Sequence, residues 1–300
     1  MAGSFVAQWH LGYKSLQYTP TLRGFDSFFG YYNGQEFYFN HTTEHYGHCG
    51  LDLWRNEGST TQAVTDLNGV YSTYAFTDEA KRIIAKHDPA KPLFLFLSYQ
   101  AVHGSCIDCT VEAPKEVVDR FAYIKANNRS LLAGALDVMD QSIGEVLASL
   151  QSRRMLSDSV VVFASDNGAA PLRDIVAANA GSNWPLRGVK QGVWEGAVRT
   201  PAVFWYGRMS SHLSQPPSHH IMHLVDWGPT FYTAAGGDVS DLGDVDGKDQ
   251  WELLSTGRGN KREDVILEIE GRNGASAIIS GRQGLFCFNT NYSFALSSSK

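Results

Sequence analysis

Asp166-Asn167-Gly168 is the group best placed to do chemistry, directly after the apolar run Val160-Val161-Val162-Phe163-Ala164. A carboxylate and an amide oxygen side by side are hard donors, suited to calcium or magnesium rather than a softer metal. The same tripeptide is also ordinary turn chemistry, and taken alone the turn is the simpler reading. A second spacing of interest is Cys106-Ile107-Asp108-Cys109, a C-x-x-C with no matching second pair. Without that pair, zinc or redox chemistry is less expected than a local disulfide or two free thiols. His103 follows the apolar run Leu93–Tyr99, and Lys190 lies in a stretch holding Gly181, Gly188, Gly192 and Gly196. Glycines at that density indicate backbone pressed close to something.

The elements that must carry these residues follow from periodicity. Val160–Ala164 and Leu93–Tyr99 are short, continuous and apolar, the pattern of strands buried on both faces in a parallel sheet. Ligands of open α/β sheets gather at the carboxyl ends of such strands, where Asp166 and His103 fall. Tyr71 to His87 reads as a helix with Ala75, Ala80, Ile83 and Ile84 as its stripe, stopped by Asp88-Pro89 and Lys91-Pro92. Arg129 to Ser152 is the clearest helix, with Leu132, Ala135, Leu136, Met139, Ile143, Val146, Leu147 and Leu150 on one face. Strand, helix and strand in alternation imply a mostly parallel sheet covered by helices.

The remaining segments are less periodic. Gly24 and Gly30 bracket an aromatic segment expected to be a compact loop, and residues 31–69 read as a long excursion. Ala202–Tyr206 is another strand, and Asp226 is expected to cap a helix running to Ala235. Residues 236–247 form a Gly/Asp-rich linker. Val265–Ile269, Ala277–Ser280 and Leu285–Phe288 then read as an antiparallel appendage before the Ser297–Lys300 tail.

Composition narrows the class. With 43% hydrophobic and 19% charged residues, 300 residues can build a large core. A net charge of −6 with no basic run argues against nucleic acid as a partner. No apolar stretch approaches membrane-spanning length. Met1 to Phe5 lacks the charged and apolar regions of a signal peptide. Sequons at Asn40, Asn128 and Asn291 hint at a secretory route but leave the compartment open.

Several segments, taken in order, resemble the sulfatase family, most closely its arylsulfatase B-like branch. They are W-H-L-G (Trp9–Gly12), T-L-R-G-F-D-S-F-F-G (Thr21–Gly30), C-G-L-D-L (Cys49–Leu53) and P-L-F-L-F-L-S-Y-Q-A-V-H (Pro92–His103). F-A-S-D-N-G (Phe163–Gly168), the stretch Ser182–Arg199 and H-L-V-D-W-G-P-T (His223–Thr230) continue the series. The resemblance implies an α/β, alkaline-phosphatase-like sandwich: a large mixed, mostly parallel sheet between helices, with a truncated antiparallel C-terminal subdomain. The boundary it implies puts the core at residues 1–260 and the appendage at 261–300.

The implied activity is hydrolysis of sulfate esters, on sulfated glycans or aryl sulfates. In that family a divalent cation, usually calcium, holds the sulfate while a formylglycine made from cysteine attacks sulfur. By resemblance Asp166 and Asn167 are metal ligands, and His10 lies near the nucleophile. His103 serves the leaving oxygen, and Lys190 and Gln8 hold sulfate. A lysosomal or secreted location is implied with them. The chemistry is coherent: cleavage puts negative charge on the leaving oxygen, which a cation, an ammonium and an imidazole acid would stabilise.

The departures are equally specific. The family makes its nucleophile from C-x-P-S-R, and none of Cys49, Cys106, Cys109 or Cys287 lies in that pattern. Its paired acidic ligands are absent, since the chain has no Asp-Asp. Calcium would therefore bind weakly, because affinity rises with the number and charge of oxygen ligands. Gln8 stands where the family pattern has lysine. The expectation is a sulfatase chain lacking its N-terminal segment and inactive alone, through truncation or degeneration. The competing expectation is a non-catalytic binder of sulfated glycan using Lys190, Arg187, His103 and the aromatic excursion. A phosphoester hydrolase ranks last, because no serine or threonine nucleophile stands beside metal ligands.

Overall fold

The computed structural model describes residues 1–45, 47–106, 108–171, 178–209, 220–259, 262–269, 276–281 and 285–288; the Asn291 sequon and the Ser297–Lys300 tail lie outside them. The chain divides into two units, Met1–Leu156 with Ala169–Ser182, and Ser157–Gly168 with Asn183–Lys300.

In the first unit, strand β1 (Ala2–Gln8) is parallel to β2 (Ser27–Tyr31), and a β3–β4 hairpin (Thr42–His45, His48–Leu51) follows. β5 (Trp54–Glu57) pairs antiparallel with β2, and β6 (Thr60–Ala63) pairs antiparallel with β5. Helix α1 (Ser72–Lys86) leads to β7 (Leu93–Ser98), parallel to β1 on its other side, giving the order β6-β5-β2-β1-β7. Helices α2 (Lys115–Val118) and α3 (Asn127–Ser152) complete the unit. The sheet is mixed and covered by helix, as the sequence implied.

Side chains of β1 and β2 alternate across the sheet, because successive Cβ atoms point to opposite faces. Val6, Phe29 and Tyr31 pack with Phe76 of α1 and Leu53 on one face, while Phe5, Phe28, Trp9 and Tyr32 form the core of the other. Burying each such aromatic contributes on the order of 2–3 kcal/mol.

Four expectations are corrected here. The segment bracketed by Gly24 and Gly30 is not a self-packed loop: its Ser27–Tyr31 is a strand between β1 and β5. Five residues are too few for periodicity to declare themselves, although aromatics favour strands. The excursion over residues 31–69 contains β3 to β6, four strands of four residues each with largely exposed polar faces. β7 is an edge strand, with Phe96 44% exposed rather than buried on both faces. On α3 the packed face holds Gly134, Ala135, Val138, Met139 and Ser142, whereas Leu136 is exposed. That face meets α1, and the Thr77 and Ser142 hydroxyls bond across it. Gly134 lies instead against Val118 of α2 and Ala113, which an added Cβ would approach to 3.0 and 3.2 Å.

In the second unit, β8 (Val160–Ala164) pairs antiparallel with β9 (Ala202–Tyr206) and is half-buried throughout. Apolar content alone did not distinguish this setting from a central parallel strand. Short α4 (Glu195–Val198) precedes β9, and α5 (Trp227–Ala234) and α6 (Trp251–Thr256) follow it. β10 (Asp264–Ile269), β11 (Ser276–Ser280) and β12 (Leu285–Phe288) make an antiparallel sheet. Asp226 does not cap α5 with its side chain. Its buried carboxylate accepts instead from the backbone of His223 and Lys248 (2.9 and 2.8 Å) and from Arg262 (2.7 and 2.8 Å). Burial raises the Asp226 pKa, but the Arg262 guanidinium overrides this and holds it below the usual range. Cys106 and Cys109 form a disulfide.

A buried polar cluster lies behind the first unit's sheet. Ser72 Oγ donates to Glu36 Oε1 at 2.9 Å, and His41 Nδ1 stands 3.7 Å from the same oxygen. Burial pushes the Glu36 carboxyl up to about 7 against the pull of His41 and Ser72. Burial alone would lower the His41 imidazole, but the Glu36 carboxylate leaves it raised. Both groups therefore hold protons in the folded state that the unfolded chain releases at lower pH. Their stabilisation is complete below the ordinary carboxyl pKa and falls as pH rises through about 7. The Glu36 contribution amounts to about 3 kcal/mol across that window. A Glu36→Gln variant should flatten the fall in thermal midpoint between about pH 5 and pH 8, measured by circular dichroism. An unchanged slope would place the linkage elsewhere.

Candidate functional site

Gln8, His10, His103, Asp166 and Asn167 sit at or just past the carboxyl end of a strand, whereas Lys190 lies in the loop before α4. In the first unit β1 ends at Gln8, whose Nε2 donates to Gly34 O at 2.7 Å. His10 follows with its backbone in the left-handed region (φ 50°) and its side chain exposed. Its ring lies against Gly34, where an added Cβ would come within 2.5 Å of the imidazole. Gly34 thus receives Gln8 by its carbonyl and His10 by its bare Cα. Trp9 between them is buried, and its indole N–H donates to Gly12 O and Tyr18 O at 3.0 Å each.

His103 comes five residues after β7 ends. Its N–H bonds Gln100 O at 2.8 Å, and its Nδ1 faces Gly104 O at 2.8 Å. The fully buried Tyr38 hydroxyl reaches both His103 O (2.8 Å) and Gln100 O (3.2 Å), and Asn179 Nδ2 donates to Val102 O at 3.0 Å. Gln100 is buried as well and donates to Glu36 O. The turn bearing His103 therefore rests on Tyr38, Gln100, Glu36 and Asn179. None of these four was singled out from sequence. Tyr38 and Glu36 lie in the aperiodic stretch, and only the adjacency of Gln100 to the apolar run could have marked one of them.

In the second unit, Asp166 is exposed two residues beyond β8, and Asn167 is half-buried. Asp166 Oδ1 accepts from Asn167 N at 2.9 Å, and Asn167 Nδ2 donates to Gly168 O at 3.0 Å, so the amide oxygen is turned away from that bond. Gly168 serves more than a turn. A Cβ there would lie 1.8 Å from Gly196 O, and Gly168 N donates to Ala197 O at 2.7 Å. Gly196 N in turn bonds Arg187 O at 2.7 Å, and a Cβ on Gly196 would meet Gly188 O at 2.3 Å. Bare backbone crossing bare backbone pins the Asp166 turn to the loop carrying Lys190.

The electrostatics report the same proximity. Burial lowers the pKa of the half-buried Lys190 ammonium, and the Asp166 carboxylate partly offsets that shift. Arg187 lies over the Trp194 ring at 3.8 Å, a cation–π contact that stiffens the loop. Asp166 and Asn167 could give a divalent cation two oxygens, whereas calcium takes six to eight. Among the described residues no cluster of three or more His, Cys, Asp or Glu could hold a metal, so this donor set does not by itself make a cation site.

The chain is similar to several known proteins. A family model described as Sulfatase matches residues 3–237. The chain is 36% identical over 270 residues to Arylsulfatase J of Mus musculus, covering 88% of this chain and 42% of that protein. It is 26% identical over 268 residues to N-acetylgalactosamine-6-sulfatase of Homo sapiens, covering 84% and 46%. The chain thus spans less than half the length of these relatives. Among solved structures, the PsFucS1 sulfatase from Pseudoalteromonas sp. superposes with a TM-score of 0.73 at 19% identity, over 97% of this chain and 62% of that one. Ps i-CgsB in complex with k-i-k-neocarrahexaose gives a TM-score of 0.72 at 24% identity, over 95% and 64%. At those identities the likeness shows the fold alone. No helix among the described residues is long and apolar enough to cross a membrane.

The Lys190–Asp166 relation is directly measurable. In chelator, competitive acetylation followed by peptide mass analysis should show Lys190 titrating below the exposed lysines. Asp166→Asn should move it lower still, because a carboxylate that favours the ammonium is gone. A shift upward would break the assignment.

Proposed function

The chain belongs to the sulfatase family, and on that footing we propose that it carries the sulfate-holding and leaving-group residues of a sulfuric ester hydrolase. The substrates proposed are sulfated glycans, with aryl sulfates as small surrogates. Relatives named arylsulfatase and N-acetylgalactosamine-6-sulfatase support that class. The observation that carries the reading is the pairing of Asp166 and Lys190. The glycine crossing joins the Asp166 turn to the loop carrying Lys190, and the Asp166 carboxylate favours the Lys190 ammonium against its burial.

Net hydrolysis adds water across the S–O bond, and the alcohol oxygen departs with a proton. His103, held by its own turn, is proposed to supply that proton, because an imidazole can act as an acid near neutral pH. Lys190 is proposed to neutralise a sulfate oxygen by a charge-assisted hydrogen bond. His10 and Gln8 would orient the sulfate from the end of β1. Asp166 and Asn167 would contribute two donors to a divalent cation, calcium by the chemistry of hard oxygens. Two donors fall short of a complete site, so no step is assigned to that ion.

None of the four cysteines can be the formylglycine precursor, since none lies in C-x-P-S-R, and Cys106 and Cys109 are paired in a disulfide. A lysosomal or secreted setting is proposed with this function, and Asn40 and Asn128 are both exposed for glycosylation. The 300-residue chain should release no 4-methylumbelliferone from its sulfate, with or without calcium. Calcium-dependent release would overturn the exclusion of its cysteines. In any longer form bearing a C-x-P-S-R cysteine, His103→Ala should lower kcat by about 10²–10⁴-fold. The loss should be steeper for alkyl sulfates than for 4-methylumbelliferyl sulfate, whose leaving group needs little protonation. Equal losses on both would remove His103 from the acid role.

A further inference from the structure

The loop immediately after His10 is built more carefully than a connection requires. Leu11, Gly12, Tyr13, Lys14 and Tyr18 line an open groove of about 660 Å³, within the size range of small-ligand sites. Leu11 is 67%, Tyr13 50% and Tyr18 39% exposed, an unusual density of large apolar surface. Yet the loop is held firmly. The buried Trp9 indole clamps it at both ends, on Gly12 O and Tyr18 O. The Tyr13 ring stacks on buried Tyr32, with centroids 5.8 Å apart and planes 13° from parallel. Its hydroxyl donates to Asn33 Oδ1 at 2.9 Å. Asn33 is fixed in turn by the buried Asp52 carboxylate, which accepts from Asn33 Nδ2 at 2.7 Å and from Trp54 Nε1 at 2.8 Å. One face of Tyr13 is therefore spent on Tyr32, while half of the residue remains open to solvent. Lys14 beside it is exposed, with no ion-pair partner among the described residues.

We propose that this loop is a subsite for a second sugar, the neighbour of the sulfated residue, so that the preferred ligand is an anionic oligosaccharide rather than a single sulfated sugar. The inference rests on the function proposed above and deepens it. The C–H face of a pyranose is apolar while its rim is polar, which matches a fixed tyrosine ring. Stacking there removes apolar area from water without ordering a flexible side chain. Lys14 selects a neighbour bearing a carboxylate or a second sulfate, because a lone ammonium next to an aromatic platform complements an anionic sugar. An apolar peptide would use the rings and leave the ammonium unanswered. The platform starts one residue after His10, which ties its position to the proposed sulfate-holding end of β1.

Isothermal titration of the 300-residue chain with a chondroitin sulfate hexasaccharide and with N-acetylgalactosamine sulfate tests the subsite. The hexasaccharide should bind more tightly. Tyr13→Ala should weaken it about tenfold and Lys14→Ala a few-fold, with the monosaccharide unaffected. Tyr13→Phe, which keeps the ring, should retain most of the affinity and separates stacking from loss of loop structure. Equal affinity for both ligands, or hexasaccharide binding indifferent to Tyr13→Ala, would overturn the subsite while leaving the proposed function standing. Tyr13-dependent binding of a desulfated hexasaccharide at undiminished affinity would keep the platform and remove the sulfate reading. Binding of neither ligand would overturn both. Concentration-dependent dimerisation abolished by Leu11→Ser would assign the patch to a second copy of the chain and overturn the sugar.

Discussion

Where a strand leaves its sheet, its last carbonyl and amide groups lose their ladder partners and must be satisfied by other means. That constraint organises each region to which chemistry is assigned. Past β1, Trp9 N and His10 N continue onto Tyr31 O and Tyr32 O at 3.0 and 3.1 Å, which carries His10 out on a left-handed backbone. Past β7, the carbonyls of Gln100, Val102 and His103 are met by Tyr38, Asn179 and the turn's own amide. Past β8, Ser165 N reaches Pro201 O at 3.2 Å and Gly168 N reaches Ala197 O. The side chains to which chemistry is assigned are thus presented by hydrogen-bonded backbone, which is how a loop residue acquires a fixed direction.

The supports beneath these turns are polar and buried, which makes them costly to disturb. Glu36, His41, Ser72, Gln100 and Tyr38 form one connected region, in which Glu36 Oε2 and Gln100 Oε1 find no partner. A buried carboxylate oxygen without a donor resists ionisation, which is why Glu36 keeps its proton so far above the ordinary carboxyl range. Asp52 has the opposite setting. Its two oxygens accept from Tyr32 N, Asn33 N, Asn33 Nδ2 and Trp54 Nε1, so both have donors. Two buried acids on neighbouring turns therefore serve different ends: Asp52 rigidifies the Tyr32–Asn33 corner, and Glu36 ties the cluster's stability to pH.

The sequence exposed those parts of this architecture whose pattern is local. β7, β8, β9, α1 and α3 were legible because apolar runs and helical stripes are written in consecutive residues. The glycine spacing of the Lys190 loop pointed correctly to close backbone approach. β2 through β6 were not legible. Each is only four or five residues long, and β2 and β5 pair with partners more than twenty residues away. The packed face of α3 was misjudged because Gly134 and Ser142 bury by shape, not by hydropathy. Asp226 was misjudged because its carboxylate answers Arg262, 36 residues away. Tyr38 and Gln100 were missed for the same reason: a positioning residue is defined by what it touches, and its own neighbourhood in sequence is silent about that.

Gln8 shows how one neutral residue redistributes the burden of holding an anion. The family pattern places a lysine there, and this chain places an amide whose Nε2 is already committed to Gly34 O. The amide ties the end of β1 to the Gly34 turn, against which the His10 ring also lies. What it gives up is a permanent positive charge. From Trp9 to Tyr18 the basic side chains are His10 and Lys14, both exposed. Under the proposed function, attraction for an anion at that end falls on Lys14, in a chain whose net charge of −6 otherwise repels polyanions. Recognition of the proposed polyanionic ligand would accordingly be a matter of local geometry, concentrated on the few residues between His10 and Tyr18, and not of overall charge.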